Sequence, residues 1–597
     1  MTTNPLVEFL ASYGPQASSN NLYDEFVVEA AMDTGCAPLE IEQPLVNELA
    51  SMFKSQSPRS VILTGTAGDG KTYTARKVVE AIAGPDAIWQ TTDKIFDLSV
   101  PSCPERRIRF IKDLSELKEG DKDTLFPEVK ASLLAKGSDT FVICVNDGHL
   151  LKFFRDREVE GVKLHDRIAD MLQNDEEHDP NGHFRLINMS RQSHRDLFER
   201  ILDGIVDHPG WAECTGCHAL DSAEQPCPIR ANLEILRQKD PASMRARLKD
   251  MIRMAAADGQ HLSIRQLILL TVNILLGDQK PGKELLTCQK AKNRAADDDY
   301  CATNPYANAF GQNLRERQRR QYGAFAILEE FGIGLETNNF FDHSLLWDTD
   351  ELPGDPIYGA RIFASHRERY RIDPSANAQD FRREMLDQRR RLFFSIDPDS
   401  KMVREDPRRN PWNLSVFKCG ATYIRLADGA EQGAVPRDIA RDIIRGLNRM
   451  MTGEMTNTDD RLWLTEPSGV YLGREIPLLV AHAGRQREGP TFISFPPMQG
   501  NGKAPVLRFT PMQRGDLAVD LPLRPTLVEC ILRIANGALP ASFSSECRRD
   551  IERFQLKAVT AIHEASRPHH PPPQEVEMVG GTLQSRPIAA LVEEESW

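Results

Sequence analysis

The sequence predicts an α/β core on a parallel sheet, then a helical lid, then a mixed α+β C-terminal region. Three observations carry this. Short apolar runs of β type recur at 60–64, 108–113, 141–146 and 184–189, with helical patterns between them. Strands alternating with helices build parallel sheets covered on both faces. From about 193 to 277 the pattern turns helical, and from about 412 short β runs return, interrupted by two helical stretches.

Taken in order, residues 1–44 read as an N-terminal helical segment. The core is expected over 45–192. It opens with helical spacing at 45–53, the strand Ser60-Val61-Ile62-Leu63-Thr64 and an amphipathic helix over 72–82. Further helices are expected at 126–135 and 166–173. The lid, 193–280, holds helical patterns at 195–206, 229–238, 243–256 and the very apolar 262–276. An arginine-rich helical region follows over 281–410. The mixed domain, 411–565, is expected to hold strands at 423–426, 462–465, 491–495 and 506–509, and helices at 437–451 and 526–536. The tail, 566–597, with His569-His570-Pro571-Pro572-Pro573, reads as disordered.

The bulk numbers fit this division. A chain of 597 residues exceeds one core, and about 150 residues per unit gives about three or four units. Apolar content of 40% and charged content of 27% are ordinary for a globular chain. A net charge of −13 excludes a polycation, though not a local basic groove for DNA. The start, Met1-Thr2-Thr3-Asn4-Pro5, lacks a secretory signal, and no apolar run approaches the ~18 residues of a membrane helix. An odd count of eleven cysteines then points to reduced thiols and a cytoplasmic setting, with no membrane partner.

Between the first strand and the first core helix stands Gly65-Thr66-Ala67-Gly68-Asp69-Gly70-Lys71-Thr72, a complete G-x-x-x-x-G-K-[ST] signature. Glycines at 65, 68 and 70 let the backbone curl its N–H groups inward around phosphate oxygens, and the helix that follows adds its positive end. Lys71 neutralises β- and γ-phosphates, and Thr72 offers a hydroxyl to Mg²⁺. The fold expected is therefore a P-loop NTPase, and the reaction hydrolysis of ATP. Guanine specificity is not expected, because no convincing N-K-x-D reader is present. A lysine in this role faces phosphate rather than core, so its loss is expected to change stability little.

Hydrolysis also needs a metal-holding acid and a water-polarising base at neighbouring strand ends. One candidate set is Asp113 for Mg²⁺ with Glu116 for water, in Ile111-Lys112-Asp113-Leu114-Ser115-Glu116; the other places Asp147 in the metal role. The first is preferred. In ATPases with an extra strand in the sheet the metal acid comes first in sequence, and the next strand ends in a polar residue that senses the γ-phosphate, here Asn146. Asp147-Gly148-His149 reads as an exit turn. Against the preference, Leu114 and Ser115 separate Asp113 from Glu116, and an acid in a helix's first turn also complements the helix dipole.

Two arginines are placed to reach the γ-phosphate, Arg191 after the last core strand and Arg265 at the start of the apolar lid helix. A surface ion pair is the alternative for each. Cys214-Thr215-Gly216-Cys217 followed by Cys227 offers three thiolates to a tetrahedral Zn²⁺, with His208 and His218 nearby for the fourth place; the alternative is plain reduced cysteines. The arginine clusters 315–320, 367–371 and 389–391 read as solvated helix faces with local ion pairs, or as a DNA-facing groove.

The 65–72 loop and the string Ile111-Lys112-Asp113-Leu114-Ser115-Glu116 resemble the large bacterial AAA+-like P-loop ATPases of anti-phage defence islands, those of DNA phosphorothioation-dependent restriction among them. Cys227-Pro228-Ile229, Gly446-Leu447-Asn448-Arg449, and Ile534 and Gly537 before Leu539-Pro540 are similar in kind. The resemblance is best over about 45–340. It implies an ATPase subunit that works with partner proteins of a restriction system on foreign DNA, in an oligomer where arginines reach nucleotide. Two rival readings stand beside it: an ATP-dependent switch or scaffold with little turnover, and a P-loop kinase.

Overall fold

Val61, Ile62 and Leu63 are fully buried, so the strand that carries them is covered on both faces. In the computed structural model this strand, β1 (Ser60–Thr64), lies inside a five-stranded sheet. Its partners are β2 (Ile95–Val100), β3 (Cys103–Ile111), β4 (Thr140–Cys144) and β5 (Phe184–Asn188). The structure describes the chain except for residues 1–2, 16–33, 85–88, 90–92, 101–102, 138, 159–162, 216, 218–224, 280–284, 349–351, 467–468, 472–473, 486–489, 499–502, 566–573 and 588–597.

The strand order is β2-β3-β4-β1-β5. β3, β4, β1 and β5 run parallel, while β2 is antiparallel to β3. The α/β class holds, but the sheet is mixed rather than wholly parallel. Two residues separate β2 from β3, and so short a link joins only antiparallel neighbours.

Side chains alternate across this sheet. Val61, Leu63, Val142 and Cys144 face one core with Phe53, Val78 and Val79, from helices Pro44–Lys54 and Lys71–Ala83. Ile62, Phe141, Ile143 and Leu186 face the other with Val129, Phe154 and Ile168, from Glu119–Leu133, Asp147–Arg155 and Leu164–Asn174. Asp147 therefore opens a helix, where an exit turn was expected. Because β4 lies between β1 and β3, the chain leaves the carboxyl ends of all three side by side. That edge carries Gly65, Asn146 and Asp113.

Beyond β5 the helices His194–Val206, Pro228–Arg237 and Ile264–Leu276 form as expected. Ile264–Leu276 buries nearly every side chain, as an apolar surface on all sides demands. A capping box starts it: Ser263 accepts from the Gln266 amide, and Gln266 accepts from the Ser263 amide.

The chain divides into two compact units, each assembled from separated stretches. The first holds 1–249, 261–330 and 353–394; the second holds 250–260, 331–352 and 395–597. Among the described residues no helix is long and apolar enough to cross a membrane.

The second unit contains a seven-stranded sheet made by β6 (Arg461–Thr465), β9 (Leu478–Gly484), β10 (Thr491–Ser494), β11 (Val506–Pro511), β12 (Val519–Pro522), β13 (Gln574–Val579) and β14 (Thr582–Pro587). A separate hairpin joins β7 (Gly469–Tyr471) to β8 (Arg474–Ile476). Two expectations are corrected here. The strand expected at 423–426 is part of helix Gly420–Glu431: Tyr423, Leu426, Ala427 and Ala430 are buried at helical spacing, which so short an apolar run does not reveal. The tail is not disordered throughout. Residues 574–587 form the β13–β14 hairpin, turning at Gly580 and Gly581, both at positive φ, and its Val576 and Leu583 pack on Trp463. Residues 566–573 and 588–597 lie outside the described residues.

The strings at 446–449 and 534 meet in this unit. Arg449 donates to Thr456 O and Ile534 O, each at 2.8 Å, and Asn448 ties Thr458 O and Arg461 O to its own helix. Their visible work is structural.

Candidate functional site

Gly65, Gly68 and Gly70 lie at φ of 134°, 91° and 81°, which L side chains rarely adopt. These turns swing the 65–72 loop from β1 into helix Lys71–Ala83, and Gly70 is the helix's N-cap residue. Lys71 folds back under the loop. Its ammonium donates to Gly65 O at 3.1 Å, Thr66 O at 2.7 Å and Asn146 Oδ1 at 2.9 Å. Burial pushes the Lys71 pKa down, while the charges of Asp69, Cys144, Asp113 and Asp147 pull it back up. Thr72 Oγ1 lies 3.4 Å from Lys112 O, beside Asp113.

Sequence reasoning missed what holds the loop in shape. Asp69 is buried, and its Oδ2 accepts from Thr66 N at 2.7 Å and from Ser190 Oγ at 2.6 Å. His261 Nε2 stands 2.8 Å from Asp69 Oδ1, and its Nδ1 stands 3.0 Å from His194 Nε2. Burial alone would raise the Asp69 pKa, but hydrogen bonds from His261, Ser190 and Thr66 outweigh it and keep the carboxylate ionised. Burial and His261 push His194 down to about 4. The only early signal was an acid inside the glycine loop; Ser190, His194 and His261 come from distant sequence.

A cavity of about 190 Å³ opens over the loop. Its lining combines polar groups, from Lys71, Thr72, Arg76, Asp113, Asn146 and Arg265, with apolar ones, from Leu39, Ile41, Ile264 and Ile268, and includes Tyr13, Pro38 and Tyr73. The N-terminal strip was not foreseen as part of the site. It is anchored through Tyr73, whose hydroxyl accepts from Ile41 N at 3.0 Å.

The expected residues divide. The cavity gathers Ala67, Gly68, Gly70, Lys71, Thr72, Asp113, Asn146 and Arg265, whose backbone N–H donates to Gly68 O at 3.3 Å. Asp113 caps the turn Leu114–Glu116, its Oδ1 accepting from Ser115 N at 2.8 Å. Glu116 does not join it. Its side chain is 62% exposed, stands 3.9 Å from the Lys94 ammonium and does not line the cavity. Leu114 takes the buried place in that turn instead. Asp147 accepts from Thr64 Oγ1 at the end of β1. Arg191 is half exposed and paired with Asp175 at 3.5 Å, the surface ion pair weighed against a phosphate role.

Cys214, Cys217 and Cys227 are free thiols, and among the described residues no three His, Cys, Asp or Glu side chains stand at metal-binding spacing. His208 is committed elsewhere: its Nδ1 accepts from Gly210 N at 3.0 Å and its Nε2 donates to Ala37 O at 3.1 Å. His218 lies outside the described residues. In the arginine-rich region, 389–391 form neither a solvated face nor a groove, because all three are buried. Arg390 lies 4.7 Å over the Phe310 ring, and Arg391 donates to Gln388 Oε1 and Pro353 O, each at 2.7 Å. Arg319, Arg320 and Arg371 pair with Glu329, Glu316 and Glu368.

Comparison with protein-family models, with curated proteins and with solved structures finds no match.

Proposed function

We propose that this chain binds ATP at the 65–72 loop and hydrolyses it, as a P-loop NTPase of the AAA+-like kind. The observation that carries the reading is the position of Lys71. Its ammonium bridges the loop carbonyls and Asn146 in the wall of a cavity lined by both polar and apolar side chains. The polar groups suit a triphosphate and the apolar ones a purine. The strand order adds support, with β4 between the loop strand and the Asp113 strand.

Each residue then has a task. Loop amides and the start of helix Lys71–Ala83 hold the phosphates. Lys71 exchanges its carbonyl partners for phosphate oxygens. Thr72 and Asp113 supply the oxygen donors that Mg²⁺ prefers, and the ion, when bound, neutralises phosphate charge. Asn146 and Arg265 face the γ-phosphate. Asp147, whose charge acts on Lys71, takes the water-polarising role in place of the more distant Glu116, although it does not itself line the cavity. The defence role, with partner proteins, DNA and an oligomer, rests on the resemblance to DptF-type restriction ATPases alone. One observation favours a second reading, a nucleotide switch with little turnover: neither Glu116 nor Asp147 lines the cavity.

Steady-state phosphate release from Mg²⁺-ATP tests the reading. Turnover is expected, with Asp113→Asn weakening Mg²⁺-dependent ATP binding. ATP binding without phosphate release would select the switch, and no ATP binding would end both readings.

A further inference from the structure

The first unit brings a fourth cysteine, far away in sequence, to the 214–227 group. Cys214 ends the 3-10 turn Pro209–Cys214, and Cys217 follows with its N–H on Cys214 O at 3.2 Å. Cys227 is the N-cap of helix Pro228–Arg237, and Cys288 is the first residue of helix Cys288–Ala296, which packs on that helix. Asn4 ties the group together. It is buried, its side-chain amide donates to Cys214 Sγ at 3.2 Å, and its backbone N–H donates to Cys288 Sγ at 3.4 Å.

We propose that Cys214, Cys217, Cys227 and Cys288 are the four ligands of a structural Zn²⁺. Two independent features favour thiolates here. N–H groups are aimed at sulfur: the Asn4 side-chain amide serves Cys214 and its backbone N–H serves Cys288. Such donors around ligating atoms orient them and tune the metal. Cys227 and Cys288 also sit at helix N-termini, where negative charge is stabilised.

On ligation each thiol gives its proton to solvent, and four thiolates with one Zn²⁺ make a centre of net charge −2. The Asn4 N–H donors offset part of that charge. The sulfurs do not yet stand at the spacing of a closed sphere. Ligation at Zn–S of about 2.3 Å requires the side chains to rotate inward. Soft thiolates select zinc over the oxygen-seeking Mg²⁺. With His208 committed to Ala37 and Gly210, Cys288 supplies the place the 214–227 string leaves open.

Elemental analysis of the full chain, made without a histidine tag, tests this. About one zinc per chain is expected. Cys288→Ser should lose most of it, and Cys301→Ser, outside the group, should keep it. Cobalt exchanged into the wild type should give strong sulfur-to-metal charge transfer and intense tetrahedral visible bands, which decides the matter even if Cys288→Ser does not fold. Less than roughly 0.2 zinc per chain, iron in its place, or full zinc in folded Cys288→Ser would overturn the assignment.

Discussion

Replacing Lys71 with Met keeps the aliphatic stem and removes the charge. Two effects on the nucleotide-free protein oppose each other. Three oxygens, on Gly65, Thr66 and Asn146, lose a charged donor, and hydrogen bonds to charged groups contribute about 1.5–3 kcal/mol each. Burial already disfavours the Lys71 ammonium, which is only 8% exposed, and Met relieves that cost. The expected balance is a loss of about 1–3 kcal/mol from the first unit, more than the little change expected from the sequence. The nucleotide effect runs separately. A ligand at about 100 times its Kd stabilises the protein by about 2.7 kcal/mol. Without Lys71 the phosphates go unneutralised, and that increment should fall nearly to zero at the same ATP concentration. Denaturant unfolding with and without Mg²⁺-ATP measures both quantities, each unit's transition followed by itself because the chain has two compact units. A Lys71→Met protein that keeps the full ATP increment would refute the placement of phosphate on this loop.

Two further outcomes follow from the same site. Glu116→Gln should turn over near the wild-type rate, since Glu116 is exposed beside Lys94, whereas Asp147→Asn should slow hydrolysis by roughly 10²-fold while ATP stays bound; the reverse pattern in single-turnover assays would return the water role to Glu116. Acid should weaken the first unit through His194. Its folded pKa of about 4 lies below the free value of 6.5, so its contribution is complete above 6.5 and is lost as pH falls from there toward 4. The loss approaches roughly 3 kcal/mol at the acid end. Urea unfolding of wild type and His194→Asn between pH 7.5 and 4.5 should show the steeper decline in wild type, and equal slopes would remove His194 as its cause.

What could be read in advance was local. The strands Ser60–Thr64 and Thr140–Cys144 have apolar centres because both their faces are covered, Phe184–Asn188 is apolar apart from Arg185, paired with Glu48 and Glu177, and Asn188, and the glycine loop announces itself by composition. β2 was missed: its Asp97 and Ser99 break the apolar run, as an edge strand allows. The 574–587 hairpin was hidden by the proline-rich string before it, although Gly580-Gly581 between alternating residues was a usable signal. Helix Gly420–Glu431 was misread because four residues do not separate a period of 2 from one of 3.6. The site's periphery was not legible at all. Ser190, His261 and the 38–41 strip reach the loop only through tertiary packing, and Cys288 nears the other cysteines only through the packing of helix Cys288–Ala296 on Pro228–Arg237 and the Asn4 bonds.

The glycines of the loop answer to two demands, and the signature explains only one. All three supply a positive φ. A side chain would also collide with a different neighbour at each position. A Cβ on Gly65 would stand 2.8 Å from Asp69 Oδ2 and 2.9 Å from Ser190 Oγ; on Gly68 it would stand 3.1 Å from Ser263 Oγ, and on Gly70 2.6 Å from Ile264 Cδ1. At Gly68 and Gly70 the second demand comes from the start of helix Ile264–Leu276, packed directly into the loop. Asp69, at a position the signature leaves open, closes the same contact from the other side through His261. Loop and helix start therefore share one set of bonds: Arg265 N on Gly68 O, His261 on Asp69, Ser190 on Asp69. Helix Ile264–Leu276 is buried along its length, so it cannot shift at one end alone. A phosphate that repositions Gly68 or Asp69 must work against the whole helix, and that is the physical link by which ATP at the loop would be felt in the lid.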